Sequence, residues 1–283
     1  MLKILGFLIV IGSVFGGYVL SHGELRTLWQ PFELLIIGGA AFGAFVVANS
    51  VHTIKGVFHQ CGAILMGKHH SKQIFMDLLT LLYELFNKSR RNGLMAIEED
   101  IEDPEKSEIF LRYPRILHDQ PTREFICDYM RIVTTGNLSA FELETLMDQD
   151  IETAFLEWEQ PSASLSKVAD ALPGFGIVAA VLGIVITMKS LGGPPQELGL
   201  HVAAALVGTF LGVFLAYGFV GPMSIAMEHH AREHVKMLEC IKTAMLANVN
   251  GIPPQMAVEF GRKTLYSTVR PSFNELEEHV RGR

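Results

Sequence analysis

The sequence predicts an all-α membrane protein with four spans and a large helical loop between spans 2 and 3. Of the 283 residues, 49% are hydrophobic and only 19% are charged, whereas about a quarter of the residues of a soluble domain are charged. The apolar residues are concentrated in four blocks that lack Asp, Glu, Lys, Arg and His. A bilayer core of about 30 Å requires roughly 20 apolar helical residues, so each block is long enough, or nearly so, to cross a membrane.

The four apolar blocks form two pairs, which a long polar stretch separates. Their bounds are Ile4–Leu20, Leu34–Val51, Leu172–Met188 and Val202–Met227. We expect the first block to be a retained helix, because no A-x-A-like cleavage site follows it. The predicted domains are residues 1–51 (spans 1 and 2), 52–171 (a polar helical domain), 172–227 (spans 3 and 4) and 228–283 (a helical tail).

The polar stretch is predicted to be helical throughout. Apolar residues recur at helical spacing in SKQIFMDLLTLLYELFNKSRR, and Gly93 ends that pattern. Gly136 is expected to cap a second helix, and Ser139 with Glu142 forms the capping box of a third. Pro161 is expected to interrupt this third helix before the chain re-enters the membrane. No segment shows the alternation of a strand.

Basic residues near the span ends predict the orientation of the chain. One side of the membrane would hold Lys3, Lys55, Lys68, Lys72, Arg232, Lys236 and Lys242, and the other only Arg26 and Lys189. Because cytoplasmic loops carry the excess of Lys and Arg, both termini and the large loop are expected in the cytoplasm. All three cysteines then lie on the reducing side, where disulfides are not expected. The net charge of −7 argues against nucleic acid as a partner.

Two short motifs point to no chemistry of their own. His230, Glu233 and His234 match the H-x-x-E-H pattern of some zinc proteases, but the string directly follows a span, where polar residues anchor the helix. We therefore expect no metal site. Glycines recur four apart in three spans and allow close helix packing in lipid; the pairs are Gly12 and Gly16, Gly39 and Gly43, and Gly208 and Gly212.

The spans are informative because they contain no ionisable side chain. Their few polar groups include Ser13, Thr187 and Thr209, and a proline stands near the start of span 3 and the end of span 4. Ionisable groups within a membrane usually mark ion or proton pathways, and a transporter acting alone would be expected to keep such a site near the midplane. The chain therefore either transports nothing or uses a titratable group of a partner.

The sequence resembles the flagellar motor stator A subunit, the MotA family, over essentially its whole length. The strings that carry the resemblance include GYVLSHGELRTLWQPFELLIIGGA, EEDIEDPEKSEIFLRYPRIL, LPGFGIVAAVLGIV, VGTFLGVFLAYGFVGPM and AVEFGRKTLYSTVRPSFNELEEHVR. The resemblance implies a proton channel that converts ion flow into torque, in the bacterial inner membrane. It implies five A subunits around two helices of a MotB-like subunit, which supplies a membrane Asp.

The resemblance also implies roles for seven residues of this chain. Pro173 and Pro222 match two functional prolines, and Thr209 matches a hydroxyl that lines the ion path. Ala180 stands where sodium-type relatives tend to place Thr, which favours protons over sodium. The residues matching those that engage the rotor protein FliG are Arg90, Glu98 and Asp150. Asp150 stands where some relatives carry Glu, which leaves its role less certain.

Other functions are possible from the sequence. The first is an ExbB- or TolQ-like proton-channel subunit that energises outer-membrane processes, although that class has three spans and an outside N-terminus. The second is a structural membrane scaffold without ion flux. No catalytic constellation is found, so an enzyme is not expected. No cofactor is expected either; the proton is the coupling ion.

Overall fold

The computed structural model describes residues 2–67, 71–136, 138–189 and 195–281 of the chain. Within these ranges every regular element is a helix and no strand occurs, which confirms the predicted fold class. The chain divides into two compact units. One comprises Met1–Lys68 and Glu157–His230, here called the apolar unit, and the other comprises His69–Leu156 and Ala231–Arg283, here called the polar unit. These bounds differ from those of the four predicted domains.

The apolar unit contains the helices that are long and apolar enough to span a membrane. The candidate spans are Leu2–Leu20, Leu25–Ala48, Ala140–Met188 and His201–Val249. The α-helices with residues in this unit are α1 (Leu2–Leu20), α2 (Pro31–Ala48), α3 (Val51–Leu65), α9 (Ala140–Lys189), α10 (Pro195–Leu215) and α11 (Gly221–Val249). The last two are joined by a π-helical segment, Ala216–Val220. Helices α9 and α11 also contribute residues to the polar unit.

The predicted break at Pro161 is wrong, because α9 runs without interruption past both Pro161 and Pro173. A proline inside a helix removes one backbone hydrogen bond and crowds the preceding turn. Packing offsets this cost at Pro161, whose ring is buried. A Cβ added at Gly56 of α3 would lie 3.1 Å from its Cγ. The contact between α3 and α9 therefore holds the proline inside the helix.

The polar unit is built around α4 (Lys72–Asn92), whose apolar face forms the core. The side chains of Phe75, Leu78, Leu82, Leu85 and Phe86 are almost completely buried. The other helices are α5 (Glu98–Glu102), α6 (Glu108–Leu111), α7 (Pro114–Leu117), α8 (Gln120–Thr135), α12 (Pro254–Thr264) and α13 (Phe273–Arg281). Burial of a leucine or phenylalanine contributes about 1.5–3 kcal/mol, so this single face supplies much of the unit's stability.

Two predicted helix ends are confirmed. Gly136 caps α8 with a left-handed backbone, φ 67°, a conformation that glycine adopts without steric cost. Ser139 and Glu142 form the predicted capping box: the Ser139 amide donates to Glu142 Oε2 at 2.8 Å, and the Glu142 amide donates to Ser139 Oγ at 3.3 Å. The hydrogen bonds from Ser139 lower the pKa of the Glu142 carboxyl. Both signals are local in sequence, which explains why they could be predicted.

Candidate functional site

Glycine brings α9 and α10 into backbone contact within the apolar unit. A Cβ added at Gly176 would lie 2.9 Å from the carbonyl oxygen of Gly208 and 3.1 Å from Cα of Gly212. A Cβ added at Gly212 would lie 2.7 Å from the carbonyl oxygen of Leu172. Real Cβ atoms do not approach other atoms this closely, so these positions require glycine. We call this contact the glycine seam.

Ala180 and Thr209 both lie beside the glycine seam. A Cβ added at Gly208 would lie 3.3 Å from the Ala180 amide nitrogen, and one at Gly176 would lie 3.4 Å from Cα of Thr209. Both side chains are partly exposed. Ala180 belongs to α9 and Thr209 to α10, and both lie beside the same backbone contact. Two residues that the resemblance implied for the ion path therefore flank one seam.

The hydroxyl of Thr209 differs from that of Thr187. Thr187 is buried, and its Oγ1 donates to the Gly183 carbonyl of its own helix at 2.8 Å. No hydrogen-bond partner for the Thr209 hydroxyl is found among the described residues. A partly exposed hydroxyl beside a glycine contact can bind a group from outside the chain, whereas Thr187 is already satisfied.

Pro173 lies inside α9, and Pro222 lies in the first turn of α11, directly after the π-helical segment. Pro173 cannot donate to the carbonyl of Ala169 one turn earlier. A Cβ added at Gly221, next to Pro222, would lie 4.0 Å from Cβ of that same Ala169. The helix accommodates Pro222 with the π-helical segment, in which the Gly221 amide donates to the Ala216 carbonyl five residues earlier. π-Bulges are a known cause of local helix distortion.

Serine side chains connect this distorted region to α9. Ser162 Oγ donates to the Ser224 carbonyl at 3.1 Å, and Ser224 Oγ donates to the Gly221 carbonyl at 2.8 Å. The Pro222 ring itself is exposed and faces a groove of 260 Å³ between α1 and the π-helical segment. The region around Pro222 is thus fixed on one side and open on the other.

Only one of the three predicted glycine pairs lies at a helix contact within the chain. Gly208 and Gly212 form the seam, whereas added Cβ atoms at Gly12, Gly16, Gly39 and Gly43 would meet no atom within 4 Å. None of the residues of α1 is buried. Helix α1 and the glycine face of α2 therefore present open apolar surfaces.

Glu33 is an ionisable residue that lies one position before the second predicted span, Leu34–Val51. Helix α2 begins at Pro31, three residues before the charge-free block, so Glu33 lies in its first turn. Proline is favoured at the first helical position, and this signal could have placed the helix start. The Glu33 side chain is partly buried, and its Oε2 has no hydrogen-bond partner.

In the polar unit, the structure separates the charged residues of the string KSRRNGLMAIEEDIED into two groups. Asp100 is buried: its carboxylate accepts from Lys88 Nζ at 2.7 Å and from Ser107 Oγ at 2.6 Å. Glu102 accepts from Arg131 Nε at 2.6 Å, and this hydrogen bond lowers the pKa of its carboxyl. These two acids therefore already have partners within the unit.

Arg90 and Glu98 belong to the second group. Arg90 lies in the last turn of α4 and Glu98 begins α5, and both are exposed. No hydrogen bond or ion pair to either side chain is found among the described residues. Their charges are available to a partner, as a rotor-binding role would require.

Asp150 differs from these two residues because it has a partner. It lies on α9, and its Oδ2 accepts a hydrogen bond from the Tyr129 hydroxyl at 3.0 Å. Burial, and then the nearby Asp150 carboxylate, raise the pKa of Tyr129. Asp150 is exposed, but no contact within the described polar unit joins it to Arg90 or Glu98.

Among the described residues, no group of three His, Cys, Asp or Glu side chains could hold a metal ion. His230, Glu233 and His234 form a row on α11, and each makes an interaction within the chain. Their spacing is thus explained by a helix face in which the side chains have protein partners.

Comparisons with known proteins agree with this architecture. Residues 4–93 match the family model for the motility protein A N-terminal region, and residues 117–240 match the MotA/TolQ/ExbB proton channel family. Motility protein A of Salmonella typhimurium is 52% identical over 282 residues, covering 100% of this chain and 96% of the relative.

Two solved structures share the fold. The C. jejuni MotAB structure has a TM-score of 0.77 at 20% identity and covers 93% of this chain and 95% of that one. The flagellar MotAB stator complex of Bacillus subtilis has a TM-score of 0.74 at 23% identity and covers 97% of each chain. The chain thus belongs to the motility protein A family and carries its proton channel domain.

Proposed function

We propose that this chain is the A subunit of a flagellar stator, in which a MotB-like partner supplies the acid of a proton path. The observation that carries the proposal is the glycine seam, where Thr209 has no hydrogen-bond partner within the described chain and the two apolar blocks in contact contain no acidic or basic side chain. A proton path through a bilayer requires a titratable group. A carboxylate on a helix that packs against the seam would supply it and would accept a hydrogen bond from Thr209.

Proton transfer would act on the two prolines. When the partner's carboxylate is charged, it holds hydrogen bonds that the neutral acid holds less strongly. Protonation would therefore change how the partner helix packs beside α9 and α10. Pro173 directly follows Leu172 of the seam, and Pro222 follows the π-helical segment. The backbone hydrogen bonds that prolines lack let a helix bend at low cost. Their role is to convert the change in packing into movement of α9 and α11.

Ala180 supports protons over sodium as the coupling ion. A dehydrated cation in a membrane needs several oxygen ligands, and the methyl group of Ala180 offers none. Thr209, which flanks the same seam, supplies one hydroxyl oxygen. A carboxylate and one hydroxyl can bind a proton, whereas they provide few of the ligands that sodium requires.

The polar unit would transmit torque to the rotor. Arg90 and Glu98 have opposite charges, exposed side chains and no partners within the described chain. Complementary charges steer association and fix its orientation. We assign them to contact with FliG and Asp150 to a supporting position, because its carboxylate already accepts a hydrogen bond from Tyr129.

The working form would be an assembly of several copies of this chain, five by the family pattern, around two partner helices. The open apolar surfaces of α1 and α2 would face lipid or neighbouring copies. The assembly would lie in the inner membrane with both termini in the cytoplasm, as the distribution of Lys and Arg favours.

Proton uptake by vesicles that contain this chain and its partner tests the proposal. Thr209→Val should reduce uptake severalfold because it keeps the shape of the side chain and removes the hydroxyl. Thr187→Val is the matched control, since that hydroxyl bonds only its own helix, and it should leave uptake near the wild-type rate. Equal rates for all three proteins would remove Thr209 from the path.

A further inference from the structure

The side chain of Glu33 reaches from the surface of the apolar unit into its interior. Its Oε2 atom is buried and has no hydrogen-bond partner, while the residue as a whole is partly exposed. No hydrogen bond or ion pair joins this side chain to another residue that the structure describes. Burial of a polar atom without a partner costs free energy, so the position of this carboxyl group requires an explanation.

Glu33 lies on the face of α2 that packs against the rest of the unit. Residues four apart in a helix share a face, and the next residues on this face, Ile37 and Ala41, are 0% and 4% exposed. Both pack in one apolar cluster with Leu172 and Ala179 of α9. Glu33 stands one turn before Ile37, about 6 Å nearer the start of α2. We call this end of the unit the outer end, because the proposed orientation places it outside the cytoplasm.

Glu33 also marks the edge of the charge-free region around the glycine seam. Going from the seam towards the outer end, the first ionisable residues are Glu33 on α2, Lys189 on α9 and His201 on α10. Helix α2 packs against α10. His201 lies one turn before Ala205, whose Cβ would be 3.0 Å from a Cβ added at Gly183 of α9. Glu33 and His201 therefore belong to the two helices that meet at the outer end of the seam.

The other ionisable side chains described at the outer end are exposed. They belong to the connection between α1 and α2 and comprise His22, Glu24 and Arg26. Within this connection, the short helix Leu25–Leu28 packs against α10. Glu197 of α10 lies at the same end by its position in the sequence. Of the side chains that the structure describes at this end, only that of Glu33 has a buried polar atom without a partner.

Stabilisation of the start of α2 does not explain this burial. An acid in the first turn favours a helix through the helix dipole, and in a capping box it also accepts a hydrogen bond from the N-cap amide. Glu33 is the third residue of α2, but its side chain accepts no hydrogen bond from Gln30 among the described contacts. An exposed carboxylate would interact with the dipole without placing an oxygen inside the unit.

We propose that Glu33 is the proton-collecting residue at the outer end of the path, and that it passes protons to the acid of the MotB-like partner. The inference deepens the proposed function and rests on it. A hydronium ion gives its proton to the Glu33 carboxylate and leaves as water. The neutral carboxyl group then donates this proton through a hydrogen-bonded chain to the partner's carboxylate at the seam, and Glu33 returns to its charged form. Ionisable groups at membrane depth commonly serve such relays.

The test measures proton uptake by vesicles that contain the complete complex, at several values of the pH on the Glu33 side of the membrane. Glu33→Gln keeps the shape of the side chain and removes its ability to accept a proton. Uptake should fall severalfold at high pH, where proton capture limits the rate, and should approach the wild-type rate as the pH on that side falls. Glu24→Gln is the matched control, because it removes an exposed acid at the same end. It should match the wild type at every pH.

Glu33→Asp separates proton collection from packing. It retains a titratable carboxyl group on a shorter side chain, so its pH profile should return towards that of the wild type. A purely structural role would instead make Glu33→Gln lower uptake by the same factor at every pH, together with a lower unfolding temperature of the complex. That result would overturn the proposal.

The remaining outcomes separate this inference from the function on which it rests. If the wild-type complex takes up no protons, the proposed channel fails and the role of Glu33 fails with it. If the wild type takes up protons and Glu33→Gln has the same profile as Glu24→Gln, only Glu33 is excluded from the path. If His201→Asn shows the pH-dependent loss instead of Glu33→Gln, the collecting residue is His201 and the assignment is wrong.

Discussion

The glycine seam and the charged residues around the end of α4 leave groups without partners in opposite ways. In the seam, side chains are absent, so backbones touch and a single hydroxyl remains unpaired. In the polar unit, charges are plentiful, and internal pairing uses some of them and leaves Arg90 and Glu98 available. The residues proposed to act in the path and at the rotor are therefore ones that lack a partner among the described residues.

The first test of this comparison adds a single methyl group to the seam. Gly212→Ala would place a Cβ 2.7 Å from the Leu172 carbonyl oxygen and 2.9 Å from Cα of Gly176. The backbones must separate, which costs about 3 kcal/mol by the upper range for overpacked cores. We expect a lower unfolding temperature in detergent and loss of motility.

Gly39→Ala is the control for this substitution, because its added Cβ would meet no atom within 4 Å. It should leave the unfolding temperature unchanged or raise it slightly, since alanine favours the helix. Equal unfolding temperatures for the two variants would show that the seam tolerates a side chain.

The second test removes an internal charge of the polar unit. Asp100→Ala leaves Lys88 and Ser107 without their shared acceptor, and the carboxylate it removes is buried. Loss of one partner of a mostly buried pair should cost about 2 kcal/mol, less than for a fully buried pair because Lys88 is partly exposed. Chemical denaturation measures this change.

Glu99→Ala is the matched control for Asp100→Ala, because Glu99 is the preceding, exposed acid of the same helix. Its free energy of unfolding should change by less than about 0.5 kcal/mol. A similar loss for both variants would contradict the division of the charges into paired and available groups.

The third test measures how stability depends on pH at the exposed ion pair of Lys72 and Glu275 in the polar unit. The hydrogen bond from Lys72, and then those from Ser272, lower the pKa of Glu275 to about 2. Because the pKa of Glu275 is lower in the folded than in the unfolded protein, its ion pair with Lys72 stabilises the fold above the unfolded-state pKa, about 4. This contribution is lost as the pH falls towards 2. Glu275→Gln should reduce the acid-induced drop in unfolding temperature, and an identical pH profile would disprove the contribution.

The smallest effect on stability is expected at the two exposed charges proposed for the rotor contact. Arg90→Ala and Glu98→Gln remove exposed charges that have no partner among the described residues, so each should change the free energy of unfolding by less than about 0.5 kcal/mol. Both should lower the torque measured on tethered cells. Full torque after charge reversal at both positions would exclude them from the rotor contact.

The helix ends that could be predicted from the sequence are those set by residues close together in the chain. The Gly136 cap and the Ser139–Glu142 capping box depend on residues within one turn of each other, and both are confirmed. The break at Pro161 was predicted wrongly because packing against Gly56, about a hundred positions away in the chain, outweighs the local cost of proline. The roles of the path and rotor residues remain predictions.

The sequence by itself determined the helical class, the four apolar spans and the lack of charge within the blocks that define them, because these follow from composition and from spacing within one helix. Only the tertiary structure decided which glycines meet a backbone, which acids are paired and which charges remain available. Those properties depend on contacts between residues far apart in the chain. The same glycine or carboxylate can therefore be open or enclosed, and its local sequence does not distinguish the two.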